Sequence, residues 1–137
     1  MLDLDPILLL PLALVLLLMA LPVISRKIWG PVTYVPVHIV KRMQDSNESM
    51  LLLDLRDRKA YSQAHIDGAI NVTPDRLDDF LQGSVGDDRP IVLVCQSDLS
   101  ATRHAARLAK AGYDSAAAMK GGMFAWKRAK YPTLSKA

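Results

Sequence analysis

Residues 91–112 read IVLVCQSDLSATRHAARLAKAG: a four-residue apolar run, a short polar stretch, then alanine and leucine at helical spacing up to Gly112. An apolar run of strand length followed closely by such a helix predicts one half of a βα unit. At the junction stands Cys95, the only cysteine of the chain. Open α/β sheets build their sites at the C-terminal ends of strands, so the position suits a functional group. If the backbone curls through Gln96, Ser97, Asp98, Leu99 and Ser100 before the helix begins, several N–H groups can converge on the sulfur, and the helix N-terminus adds partial positive charge. Both effects stabilise a thiolate or a persulfide anion. The same cysteine also fits an inert last residue of a buried strand. The local pattern leaves both readings open.

The rest of the soluble part repeats the alternation. GPVTYVP, residues 30–36, reads as a linker entering a first strand, and Pro36 suits the first turn of a short helix that ends near QDSN. MLLLDL is apolar without interruption, as in a strand covered on both faces. DRKAYSQAH predicts a helix and AINV a short strand. TPDRLDDFLQG predicts a helix with Thr73 as N-cap, Pro74 at its first position and Gly83 at its end. After PIVLV and the helix from Ser100 to Gly112 come a weak strand, SAAAM, and a last helix, MFAWKRAK. Strands alternating with helices predict an α/β domain with a mainly parallel sheet.

The chain has 137 residues, half of them hydrophobic, a formal charge of +3 and a pI near 9.1. That length suits one domain. The basic residues are scattered among aspartates, with no Lys/Arg block and no aromatic ladder, which argues against nucleic acid as a partner. A lone cysteine excludes an intramolecular disulfide and every multi-cysteine metal motif; no metal or cofactor is implied.

From Ile7 to Ile24 there is no charge, and about 27 Å of helix is just enough to cross a bilayer. Pro11 is expected to kink the first turns, and Pro22 lies near the far end. A cleaved secretory signal would carry basic residues before its apolar stretch. Here Asp3 and Asp5 precede it, while Arg26 and Lys27 follow, with Lys41 and Arg42 further on. The expectation is therefore an uncleaved transmembrane anchor with its basic flank (residues 1–29, span about 7–24) ahead of a second domain (30–137). The positive-inside rule places that domain in the cytoplasm, beneath the inner membrane, where Cys95 would stay reduced. Membrane lipid is then one partner.

LLLDLRDRKAYSQAHIDGAINV (51–72), the 91–112 stretch and MKGGMFAWKRAKYP (119–132) resemble, in that order, the hallmarks of a single-domain rhodanese, or sulfurtransferase. These are a strand ending in Asp-x-Arg, a His-Ile-x-Gly-Ala turn, a strand, cysteine loop and helix, and a late Gly-Gly-x-x-Ala-Trp. The resemblance implies an open five-stranded parallel sheet flanked by helices, with Cys95 accepting sulfane sulfur from a donor and passing it to an acceptor thiol or protein. It places the cradle on the amides of Gln96 to Ser100, and the Asp-x-Arg pair on Asp54 and Arg56, read here as scaffolding through bidentate bonds. His65 falls in a turn where a hydrogen-bonded structural histidine is expected rather than a general base. Trp126 reads as packing, and Gly121 with Gly122 as a turn.

The loop departs from the family pattern. Active members commonly carry glycine three residues and arginine five residues after the cysteine, where this chain has Asp98 and Ser100. Without the arginine a thiosulfate anion loses its charge-assisted partner, and Asp98 adds like charge. Thiosulfate is therefore expected to be a poor donor. Ala101 stands where a Cys-x5-Arg phosphatase needs arginine. Arg103, one turn beyond Ser100, could reach back to the loop or be an ordinary exposed arginine. Two functions follow: a membrane-anchored sulfurtransferase cycling Cys95 through a persulfide, or a tethered rhodanese-like module that has lost turnover and binds another membrane protein.

Overall fold

The computed structural model describes the backbone of residues 6–29, 33–84 and 86–136, with side chains from 9 to 21 in the first stretch and throughout the other two. Helix α1, Pro6–Trp29, runs through Pro11, and nearly all its described side chains, such as Leu10 and Met19, face solvent. Among the described residues no helix is long and apolar enough to cross a membrane. The expected span of about 7–24 therefore finds no support among the described residues, and its two ends, 7–8 and 22–24, lie outside the described side chains. Met1–Pro31 and Val32–Ala137 are separate compact units.

In the second unit five strands, β1 (Thr33–Val35), β2 (Leu51–Asp54), β3 (Ile70–Asn71), β4 (Ile91–Val94) and β5 (Ala116–Met119), form one sheet in the order β1-β5-β4-β2-β3. All pairs are parallel, as the alternation with helices predicts. The continuous apolar strands are covered on both faces. Leu51, Leu53, Ile91 and Leu93 pack with Leu77, Leu81, Ala101, Ala105 and Leu108, so helices α4 (Leu77–Gly83) and α5 (Asp98–Lys110) cover that side. Leu52, Val92 and Val94 pack with Val40, Tyr61, Met123 and Trp126, from α2 (Val37–Asp45), α3 (Arg58–Gln63) and α6 (Gly122–Arg128). Odd and even strand positions thus go to opposite faces, the period-two rule of a pleated sheet. Trp126 is fully buried, and its indole N–H donates to Pro132 O at 3.0 Å, which ties the tail down.

The helix expected over 73–83 departs from expectation at both ends. It is a 3-10 turn, Pro74–Arg76, followed by α4. Thr73 makes no side-chain cap bond. Gly83 lies inside the last turn, and the hydroxyl of Ser84 closes the helix on Phe80 O at 3.0 Å. Gly112 does end the next helix, with φ 98°, and Asn47, φ 52°, ends α2.

Between α4 and α5, Arg107 grips both carboxylate oxygens of Asp78 at 2.8 and 2.7 Å. Beside it His104 is half-buried, with its Nδ1 enclosed and without a hydrogen-bond partner. Burial, and then the Arg107 and Arg103 charges, push its pKa down, and only the Asp78 charge opposes them. A histidine held below its unfolded value near 6.5 binds fewer protons folded than unfolded, so its contribution is complete above that value and is lost as pH falls through the folded pKa. Urea titrations between about pH 7.5 and about pH 5 should show falling stability, with a shallower fall in His104→Leu. Equal slopes in the two proteins would remove His104 from the explanation.

Candidate functional site

β4 ends at Val94, which is in register with Asp54 at the end of β2. Cys95 therefore emerges beside the Asp-x-Arg pair. The free thiol is half-buried, with its side chain against the α4 and α5 core. α5 begins at Asp98, two residues earlier than expected, after an extended Ser97 (φ −119°, ψ 178°) that makes no side-chain cap bond. The loop proper is only Gln96 and Ser97. The amides of Asp98, Leu99 and Ser100 belong to the first helical turn, whose N–H groups have no acceptor within the helix. An anion near that turn meets the positive end of a helix of 13 residues.

Two structures brace this loop. On one side Asp54, fully buried, and Arg56, nearly so, form a bidentate ion pair: Nη2 lies 2.7 Å from Oδ2 and Nε lies 3.0 Å from Oδ1. The Arg56 backbone N–H also donates to Asp54 Oδ1 at 3.0 Å. Nη2 also donates to Ala64 O, at the end of α3, at 2.6 Å, and Nη1 donates to the side-chain oxygen of Gln96 at 3.4 Å. The pair thus ties the end of β2 to the cysteine loop at Gln96 and to the end of α3 at Ala64. Asn71, which sequence reasoning did not single out, adds to this brace by donating to the carbonyls of Asp54 and Arg56 at 3.0 and 2.8 Å.

On the other side stands the Gly121–Gly122 turn. Met123 N–H donates to Cys95 O at 2.9 Å and Phe124 N–H to Gln96 O at 3.2 Å. A Cβ on Gly122, whose φ is +57°, would lie 2.5 Å from Cys95 O and 2.9 Å from Gln96 O. The pair is more than a turn: only a bare α-carbon at Gly122 lets it press on the cysteine loop. The carboxylate of Asp98 accepts the Gly121 N–H at 3.2 Å. Besides its cradle amide, sequence reasoning treats the Asp98 side chain only as a charge beside the sulfur, whereas this bond makes it a link between α5 and the glycine turn.

The remaining candidates lie as follows. Ser97 and Leu99 are exposed, while Gln96, Asp98 and Ser100 are half-buried. Arg103 is exposed on α5 and makes no ion pair among the described residues. His65 is buried, with Nδ1 2.8 Å from Tyr61 O and its ring stacked 4.0 Å from that of Tyr61. Its main chain pairs with Leu134 in both directions, at 2.9 and 2.8 Å. Those bonds fit a structural histidine. A cavity of about 400 Å³ lined by Asn71, Arg76, Asp79 and Phe80, among others, does not include Cys95.

Residues 37–129 match the family described as Rhodanese-like domain. The thiosulfate sulfurtransferase GlpE of Shewanella oneidensis is 35% identical over 82 residues, which is 60% of this chain and 80% of that protein. The enzyme of the same name from Actinobacillus succinogenes is 34% identical over 85 residues, 62% of this chain and 76% of that one. The crystal structure of the Alr3790 protein from Anabaena superposes with a TM-score of 0.68 at 29% identity, over 74% of this chain and 80% of that chain.

Proposed function

This chain belongs to the rhodanese-like domain family, among relatives that are sulfurtransferases, and we propose that it is itself a membrane-anchored sulfurtransferase working through a persulfide on Cys95. The observation that carries the reading is the position of Cys95, at the mouth of β4 and before the first turn of α5, in a loop braced by Arg56 and the glycine turn. The thiolate attacks the outer sulfur of a donor R–S–S⁻. The new S–S bond forms as the donor's S–S bond breaks, and R–S⁻ leaves with that bond's electron pair. Cys95 then carries a terminal sulfur anion. An acceptor thiolate takes this sulfur by the same displacement, regenerating the Cys95 thiolate and carrying the sulfur away as its own persulfide. Charge is conserved at each step, so general acid–base catalysis contributes little, in keeping with a His65 occupied by Tyr61. The helix N-terminus and loop amides favour the anion throughout.

The anchor rests on the uncharged run from Ile7 to Ile24, its acidic leading and basic trailing flanks, and the exposed leucines of α1. A helix apolar on all sides fits lipid better than water. The positive-inside rule then keeps the catalytic domain on the cytoplasmic side of the inner membrane. Uptake is tested by intact mass spectrometry of the chain after incubation with a persulfide donor. Gain of one sulfur supports the reading, and an unchanged mass defeats it.

The loop itself favours the second reading, a binding module without turnover, because Asp98 and Ser100 stand where the family's glycine and arginine would hold thiosulfate. The pair Asp98→Gly with Ser100→Arg separates the two. If the natural loop is tuned away from thiosulfate, the exchanged loop should raise its turnover by at least about tenfold, since a charge-assisted bond contributes roughly 1.5–3 kcal/mol. No gain, together with no sulfur uptake by the parent chain, would favour the module.

A further inference from the structure

Three large apolar side chains stand in water where the cysteine loop reaches the surface. Leu99 is 63%, Phe124 59% and Tyr34 47% exposed. One such residue is ordinary; three gathered around a nucleophile are a patch. Phe124 sits against the loop through its N–H bond to Gln96 O at 3.2 Å. The neighbouring Gly121 is bonded to Asp98, next to Leu99. The Tyr34 hydroxyl meets Thr102 Oγ1 at 3.5 Å, one helical turn along from Leu99. Cations flank the patch. Arg103 follows Leu99 by four positions and Lys127 follows Phe124 by three, so each shares a helix face with that apolar side chain, and Lys120 adjoins Gly121. All three are exposed, and none makes an ion pair among the described residues. The nearby carboxylate, Asp98, is half-buried and bonded to Gly121 N–H.

We propose that this patch docks the protein that exchanges sulfur with Cys95, and that the partner presents its thiol on a segment of apolar side chains flanked by carboxylates. The inference rests on the sulfurtransferase reading and names its substrate class. Charge complementarity selects an acidic partner. The apolar side chains select a macromolecule over a small anion such as thiosulfate, which would use none of them. An anionic lipid surface has the same charge sign, but it brings no thiol to a patch that surrounds the thiol-bearing loop.

The test uses the full chain in phosphatidylcholine nanodiscs, charged with sulfur at Cys95. The acceptors are two cysteine peptides alike in apolar residues, one flanked by glutamates and the other by lysines, and a small neutral thiol. Transfer to the glutamate peptide should be at least about tenfold faster than to the lysine peptide at low salt, with the ratio shrinking as salt rises. The double variant Tyr34→Ser with Lys127→Glu should abolish the preference and leave the small-thiol rate unchanged. Equal rates for the two peptides, or a preference indifferent to the variant, would overturn the proposal. So would sedimentation with phosphatidylserine vesicles that depends on Tyr34 and Lys127 while the peptides show no preference, which would assign the patch to lipid. If not even the small thiol accepts sulfur, it is the transfer reading that fails. Docking is then read from anisotropy of a labelled glutamate peptide, with serine in place of its cysteine, on the Cys95→Ser protein. Binding weakened by the two patch substitutions sustains the docking face, and binding they do not change removes it.

Discussion

Cys95→Ser should leave the fold intact and lower sulfur transfer by at least about a thousandfold, the loss expected when a nucleophile is removed. The two halves of that expectation have separate causes. The thiol is half-buried, so a serine hydroxyl of similar size replaces it with little loss of packing. What holds the loop is independent of the sulfur: main-chain bonds from Met123 and Phe124, and Arg56 on the Gln96 side chain. Urea unfolding should therefore shift by less than about 1 kcal/mol, as for a substitution that breaks no network. Chemistry, by contrast, needs an atom that can form an S–S bond. A serine oxygen cannot, and helix-end charge does not make up the difference. The readout is intact mass after donor treatment together with transfer to a thiol acceptor. A serine variant that still gained sulfur would place the nucleophile elsewhere, although the chain has no second cysteine.

The parts of this architecture that follow from local chemistry are readable in the chain. LLLD and IVLV are apolar without a break because both faces of the sheet are covered, and they alternate between the two cores residue by residue. Asp54 and Arg56 announce themselves by a spacing that puts both at a strand end, close enough for one to grip the other. Their further partners are not readable, because Gln96 lies 40 positions away and meets Arg56 only once β2 and β4 are in register. The start of α5 misleads for a related reason. Ser97 and Ser100 are both of a type that caps helices, and the helix starts after Ser97, where the Gly121 N–H donates to the Asp98 carboxylate from across the chain. A Gly-Gly pair predicts a turn. That its second α-carbon must touch the carbonyl of Cys95 is a fact of packing between β4 and α6, without a local signature.

That dependence on the far side of the sheet makes Arg56→Ala the most destabilising substitution expected in the site. Removing the guanidinium leaves the Asp54 carboxylate, 0% exposed, with the backbone N–H of residue 56 as its one remaining partner among the bonds to its oxygens. It also leaves Ala64 O without its donor at the end of α3. Breaking one side of a buried ion pair costs about 3–5 kcal/mol, because the surviving charge stays desolvated. The urea midpoint should fall accordingly with little change in slope, since the surface exposed on unfolding is nearly the same. Asp54→Leu combined with Arg56→Met should recover much of that loss, because no unpaired charge then remains buried. Stability and function should nevertheless part company in the double variant. With no guanidinium on Gln96, the cysteine loop keeps only its glycine-side brace, and transfer should stay slow in a protein that is again well folded. A double variant with both stability and transfer restored would show that the ion pair serves the fold alone and that the loop positions Cys95 without it.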